Sequence, residues 1–355
     1  MIKTAARFSA LFLGVLAAFG CQKKTEAPSP SPSPSASVAR VTLNGSGSTL
    51  SKPFQEAAIE QFKKTHGGIT INYGGGGSGK GRQDLSDMVV DFAGSDSPFK
   101  DADAAKVKGG PILYVPILLA PIAVIYNLDG VEKLQLSAPT IAKIFQREIT
   151  KWNDKAIAAD NPGVKLPATE IVVAHRADGS GTTQNFTEYL NGAAKGVWKL
   201  KSGSTVEWPS DTQAGQGNSG VAQIVKSTKG AIGYADLSDA KASGLKYARI
   251  ENQAGKYVEA TTAGASAAGD GIEVKESLLF SALDAKGDQA YPITAQTWII
   301  VYANQPDRAK GEALQAYLTF LVKDGQSLLG DIDYAPLPKG LQDKALKQVD
   351  NLKLP

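Results

Sequence analysis

Three stretches of this chain repeat one short pattern, and that pattern restricts the fold more than any other feature. Each has a strand-like run, a Gly/Ser-rich loop and a segment of helical periodicity. The first is "VTLNGSGSTLSKPF" (41–54). Val41 and Leu43 alternate with polar residues, as a strand does. After Pro53, which suits a first helical turn, Phe54, Ala58 and Phe62 recur at helical spacing. The second is "INYGGGGSGKG" (71–81), entered through alternating Ile69, Ile71 and Tyr73 and followed by a predicted helical stripe of Leu85, Met88 and Val89. The third is "EIVVAHRADGSGTTQNFTEYL" (170–190), an apolar run, a polar turn and a helix bearing Phe186, Tyr189 and Leu190. Strand–loop–helix units of this kind predict an α/β fold in which the loops gather at the carboxyl ends of the strands.

Such loops have a definite chemistry. Their backbone N–H groups are free, and the following helix N-terminus adds partial positive charge beside them. Glycine allows close approach of an oxyanion, and Ser or Thr adds a hydroxyl donor. An anion can therefore be held without net positive charge. Any one of these loops alone reads as a plain turn. Three of one type, one with an Arg and one with a Lys, point to a site.

The second loop invites a nucleotide reading, because Gly74, Gly79 and Lys80 fit most of G-x-x-x-x-G-K-[ST]. Gly81 then stands where the magnesium-binding hydroxyl belongs, and no apolar strand ending in Asp is clearly placed as its metal partner. Lys80 reads as a solvated lysine on the outer side of the loop. His66 and His175, the only histidines, are far apart with no metal-ligand spacing, and both read as structural. Trp152, Trp198, Trp208 and Trp298 read as packing residues. No Ser-His-Asp or paired-carboxylate set emerges.

The N-terminal segment predicts export from the cytoplasm. Lys3 and Arg7 precede an apolar run from Phe8 to Phe19 that is too short to span a bilayer, the pattern of a secretion signal. It ends at Cys21, the only cysteine. A cysteine directly after a signal core resembles a bacterial lipoprotein acceptor, although Phe19 in "LAAFGC" departs from that pattern. The Pro/Ser alternation "PSPSPSPSASVA" (28–39) cannot build a core and reads as a tether. The expected division is thus a signal peptide with its lipidation site (1–21), a tether (22–39) and a body too long for one typical core, hence two lobes. The formal charge of +3 falls to +1 once Lys3 and Arg7 leave with the signal. Without a global basic field, no nucleic-acid partner is expected.

In order, "NGSGSTL", "INYGGGGSGKG", "VVDFAGSDSPF", "IFQREITKWND", "HRADGSGTTQNFTEYL", "GNSGVAQIVKSTKGAIGYADL" and "DYAPLP" resemble the phosphate-binding protein of the bacterial high-affinity phosphate ABC importer. They run from about residue 41 to 340, and "RADGSGT" with "ITKWND" is the specific part. The resemblance implies a two-lobed periplasmic binding protein, type II-like, with the ligand cleft between lobes joined by two crossing hinge strands. Lobe one would be 40–118 with 297–355, and lobe two 119–296. "VPILLAPIAVIYNLDG" (115–130) would lead out of lobe one and "YPITAQTWIIVYAN" (291–304) back.

The ligand set it implies is Thr49 (hydroxyl), Leu50 (amide), Ser78, Asp96, Arg176, Ser180, Gly181 and Thr182. Asp178 would support Arg176 by pairing with it. Asp96 would select the ligand: a carboxylate accepts hydrogen bonds only, so it suits hydrogen phosphate and rejects fully ionised sulfate. Without the resemblance, Asp96 in "AGSDSP" would read as a turn or helix-cap aspartate. Leu50 departs from the family, where an aromatic residue is common, and the 74–77 loop is richer in glycine. The implied activity is capture of inorganic phosphate for delivery to ABC permease subunits in the inner membrane, by a monomer anchored through Cys21 on the periplasmic or cell-surface face. No enzyme activity, cofactor or metal is expected. A secreted phosphatase, or a binder or sensor of another tetrahedral oxyanion such as arsenate, is the alternative.

Overall fold

The long apolar stretch "ILYVPILLAPIAVIY" is a single strand buried along almost its whole length. In a computed structural model that describes residues 40–355, it is a central strand that joins two sections of the main sheet. The signal, Cys21 and the tether lie outside the described residues. The strands in chain order are β1 (Val41–Gly47), β2 (Ile69–Gly74), β3 (Phe92–Ser95), β4 (Ile112–Tyr126), β5 (Gln135–Leu136) and β6 (Val172–Arg176). Then come β7 (Gln213–Gly215), β8 (Ala231–Asp236), β9 (Lys246–Tyr247), β10 (Arg249–Glu251), β11 (Tyr257–Val258) and β12 (Thr294–Tyr302). The main sheet runs β2-β1-β3-β12-β4-β8-β6-β7, with β9 beside the end of β4. Strands β5, β10 and β11 form a small separate sheet.

The three expected strand–loop–helix units are all present. β1, β2 and β3 pair in parallel, and so do β6, β7 and β8. On the helix Lys52–Thr65 the predicted stripe of Phe54, Ala58 and Phe62 is buried. On the helix Gly181–Ala193 Phe186, Tyr189 and Leu190 are buried. The second helix corrects the expectation. It spans Ser78–Ser86, so only Leu85 of the predicted stripe is helical and buried. Met88 has a φ of 60°, and Met88 and Val89 are exposed. The Val89 amide bonds back to the Asp84 carbonyl and the Met88 amide to that of Leu85. This closes the helix with a Schellman turn one residue before the apolar pair.

β4 carries two prolines inside a central strand, where the missing N–H must be accommodated. Beside Pro116 the register against β12 slips: Thr297 faces Leu118 while Trp298 faces Pro116, leaving Ile117 as an extra residue. Pro121 is the last residue paired with β12, and Ile122 onward pairs with β8. One strand thus serves two sheet sections and changes partner where the ladder would lose a donor. Parallel strands on both sides point their carboxyl ends, Gly47, Gly74, Ser95, Arg176 and Gly215, into loops that meet.

Candidate functional site

Asp96 follows directly on β3 and is about 1% exposed. Its Oδ1 accepts from Ser48 Oγ (2.6 Å) and Thr297 Oγ1 (2.7 Å), and its Oδ2 accepts from Ser78 Oγ (3.1 Å). The Asp96 amide in turn donates to Ser78 Oγ. Burial pushes the carboxyl above its usual range, while the three hydroxyls and the Arg176 guanidinium oppose that shift. Arg82, on the helix Ser78–Ser86, braces the same turn by donating to Ser95 Oγ and Ser97 Oγ. The single hydroxyl hydrogen of Ser78 is directed to Asp96, so its amide at the helix start is the donor left for a ligand.

Arg176 ends β6 and is buried. Its Nε donates to Asp178 Oδ1 (2.8 Å) and its Nη2 to Asp178 Oδ2. Asp178 also accepts from the Gly217 amide. The Nη1 group faces Thr182 Oγ1 (3.3 Å) and Asn218 Oδ1 (3.0 Å). The guanidinium edge carrying Nε is therefore occupied by Asp178 and both Nη1 hydrogens have acceptors, so the second Nη2 hydrogen is the one left to face an anion. Ser180 caps the helix Gly181–Ala193 by accepting from the Thr183 amide, and its own hydrogen remains to donate. The amides of Gly181 and Thr182 are the first of that helix and have no intrahelical partner.

Thr49 and Leu50 lie in the loop after β1. Thr49 Oγ1 is buried with no hydrogen-bond partner among the described residues, and none is present there for the Leu50 amide. The Leu50 side chain is fully buried in the core beside Phe54, a place an apolar residue fills without an aromatic ring. The loops touch one another. The Gly79 amide donates to the Gly179 carbonyl (2.7 Å), and Asn185 Nδ2 donates to the Asp96 carbonyl (2.6 Å). Gly77 has a φ of 92°, and a Cβ there would strike Asp178 and the Gly179 carbonyl. All eight candidate ligands and Asp178 thus belong to one cluster of loops.

Lys80 points away, ion-paired to Asp84 at 2.8 Å and largely exposed. His175 stacks on Trp208 and bonds Thr212 and the Arg176 carbonyl; burial holds its imidazole below the usual range. His66 stacks on Phe62 at the end of its helix. Trp152, Trp198 and Trp298 are buried, and Trp208 packs against the core. Among the described residues no group of His, Cys, Asp and Glu gathers to hold a metal ion. A polar groove of about 590 Å³, lined by Arg82, Lys100 and Lys108 opposite Gln184 and Ser204, opens beside the Gly79–Gly179 contact.

Sequence reasoning missed Ser48, Arg82, Asn185, Asn218 and Thr297. Ser48 adjoins Thr49 and could have been weighed with it. Thr297 lies 201 residues from Asp96, and no local pattern signals such a contact. Asn218 opens a fourth strand–loop–helix unit, β7 followed by the helix Gly217–Ser227. Its strand has only three residues, too few for alternation to show.

The PBP superfamily domain model matches residues 32–324. The chain is 34% identical to the phosphate-binding protein PstS of Xylella fastidiosa, over 87% of this chain and 84% of that one. It is 38% identical to phosphate-binding protein PstS 3 of Mycobacterium leprae, over 85% of each. In fold it is similar to a high-affinity periplasmic phosphate-binding protein solved with phosphate, with a TM-score of 0.72 at 20% identity, covering 85% of this chain and 92% of that one. A phosphate-binding protein of Stenotrophomonas maltophilia matches with a TM-score of 0.67 at 18% identity, covering 86% and 93%. The fold is the two-lobed α/β architecture of those binding proteins, and by sequence the chain belongs to the phosphate-binding protein family of the PBP superfamily.

Proposed function

We propose that this protein captures inorganic phosphate, as the mono- or dihydrogen ion, and delivers it to the permease of an ABC transporter. One observation carries the reading. A buried carboxylate, Asp96, sits in the same loop cluster as a buried arginine and several free amides and hydroxyls. A cradle for anions in general would exclude a carboxylate. One for an anion that still carries a proton uses it as the acceptor of that proton. Arg176 is charge-balanced by Asp178, so the affinity rests on directed donors and not on net charge.

In this reading lobe one comprises 40–118 and 297–355, and lobe two 119–296. Thr49, Leu50, Ser78 and Asp96 belong to the first, Arg176 and Ser180 to Thr182 to the second. β4 and β12 are the crossing strands about which the lobes close, a hinge movement of the usual kind. The change of strand partner at Pro121 supports a flexure there. The protein acts as a monomeric binder and not as a phosphatase, exported and held at the membrane by a lipid on Cys21.

Isothermal titration of the mature protein, stripped of bound anion, tests the function. Phosphate and arsenate should bind, sulfate should not, and a generic phosphomonoester should not turn over. Equal binding of sulfate and phosphate would overturn the reading.

A further inference from the structure

We infer that Asn218 is a further ligand of the bound anion, donating through Nδ2 while its Oδ1 holds Arg176. The inference rests on the phosphate reading above and extends it to a fourth loop.

β7 pairs in parallel with β6, and Gly215 is the register partner of Arg176. The loop after β7 therefore opens on the same side as the Arg176 loop. The helix that follows begins at Gly217, whose φ is 69° and whose amide donates to Asp178 Oδ1 at 3.1 Å. Asn218 is the second residue of this helix and is fully buried. Its Oδ1 accepts from Arg176 Nη1 at 3.0 Å. A guanidinium only donates, so the atom facing it must be the amide oxygen. The orientation of the amide is thereby set, and its nitrogen lies on the other branch.

That nitrogen is buried and has no hydrogen-bond partner among the described residues. Proteins rarely leave a buried amide N–H unmet, and such a group calls for an acceptor. A second buried polar atom without a partner lies close by. A Cβ on Gly217 would stand 3.8 Å from Thr49 Oγ1, itself unpaired among the described residues. Thr49 comes from the loop after β1 and Asn218 from the loop after β7. Arg176 Nη1 reaches Asn218 Oδ1, and Thr49 lies against Gly217, the residue before Asn218. One oxyanion between them gives both an acceptor.

The chemistry complements that of Asp96. An amide N–H only donates and so suits an unprotonated phosphate oxygen, whereas Asp96 only accepts and takes the oxygen that carries the proton. Together they read a tetrahedral oxyanion with both kinds of oxygen, as hydrogen phosphate has.

The test is titration of inorganic phosphate into wild type, Asn218→Asp and Asn218→Ala at pH 8. The aspartate keeps an oxygen for Arg176 but puts an acceptor where the donor was. Direct ligation predicts a loss of about a hundredfold or more for Asn218→Asp and a smaller loss for Asn218→Ala. If Asn218 only positions Arg176, adding Asn218→Ala to Arg176→Ala should cost no further affinity, and the assignment falls. Should the aspartate variant fail to fold by circular dichroism, Asn218→Ala decides alone, and wild-type affinity there overturns the inference. Absence of phosphate binding in wild type would instead remove the functional reading itself, and the ligand role with it.

Discussion

Asp96 shows how a single side chain sets selectivity through what it cannot do. Three hydroxyls fix both of its oxygens, so it cannot swing away from an ill-matched ligand. Facing sulfate it would remain desolvated and unpaired. Asp96→Asn offers an amide that can donate, so rejection of sulfate should weaken by about a hundredfold, part of the discrimination that a matched polar site supplies. Competition calorimetry reads this directly, and undiminished rejection would show that selectivity lies elsewhere. The candidacy of Asp96 was visible in "FAGSDSP" only with the aid of a family pattern, because the same string suits a turn. Its support by Thr297 was not visible at all.

Among the elements, the loops are legible and their mutual contacts are not. Glycine runs between an alternating segment and a helical one mark the turns, because local backbone freedom and periodicity are sequence properties. Why particular glycines are needed depends on what lies opposite. A Cβ on Gly181 would overlap Ser78 Oγ and reach Asp96 Oδ2 at 2.7 Å. Gly181 begins its helix, where alanine is tolerated locally, so Gly181→Ala should fold normally yet resist closure of the loops. An overpacking penalty of about 1–3 kcal/mol corresponds to phosphate affinity about 5- to 150-fold lower. Wild-type affinity with an unchanged melting temperature would mean that the loops part at no cost. The stripe of Leu85, Met88 and Val89 misled because spacing does not register a left-handed residue. A Schellman turn at Met88 outweighed the pattern, leaving two apolar side chains outside.

Across the whole molecule, one hydrogen-bonded bridge links distant parts of the chain. Tyr334, from "DYAPLP", donates to the Leu50 carbonyl at 2.7 Å and lies 3.2 Å from Asp236 Oδ1 at the end of β8. Burial and the neighbouring Asp239 hold the Asp236 carboxyl well above its usual range. Tyr334→Phe leaves the buried Leu50 carbonyl without its donor and removes the hydroxyl that neighbours the Asp236 carboxyl, a loss of about 1–3 kcal/mol. In the proposed division the bridge joins the two lobes. The variant should therefore melt earlier and bind phosphate more weakly, with a larger radius of gyration in solution scattering. A variant unchanged in all three would show that the bridge contributes nothing to closure. By itself the sequence determined the α/β class, the glycine loops and the helices behind them, since these follow from periodicity and backbone freedom within a dozen residues. The tertiary structure alone decided that Ser48, Ser78 and Thr297 hold Asp96, that Asp178 occupies one edge of Arg176, and that Asn218 stands beside them. Those contacts join loops from separate strands, and their geometry is set by sheet order and by the change of β4's partner at Pro121, neither of which any local pattern encodes.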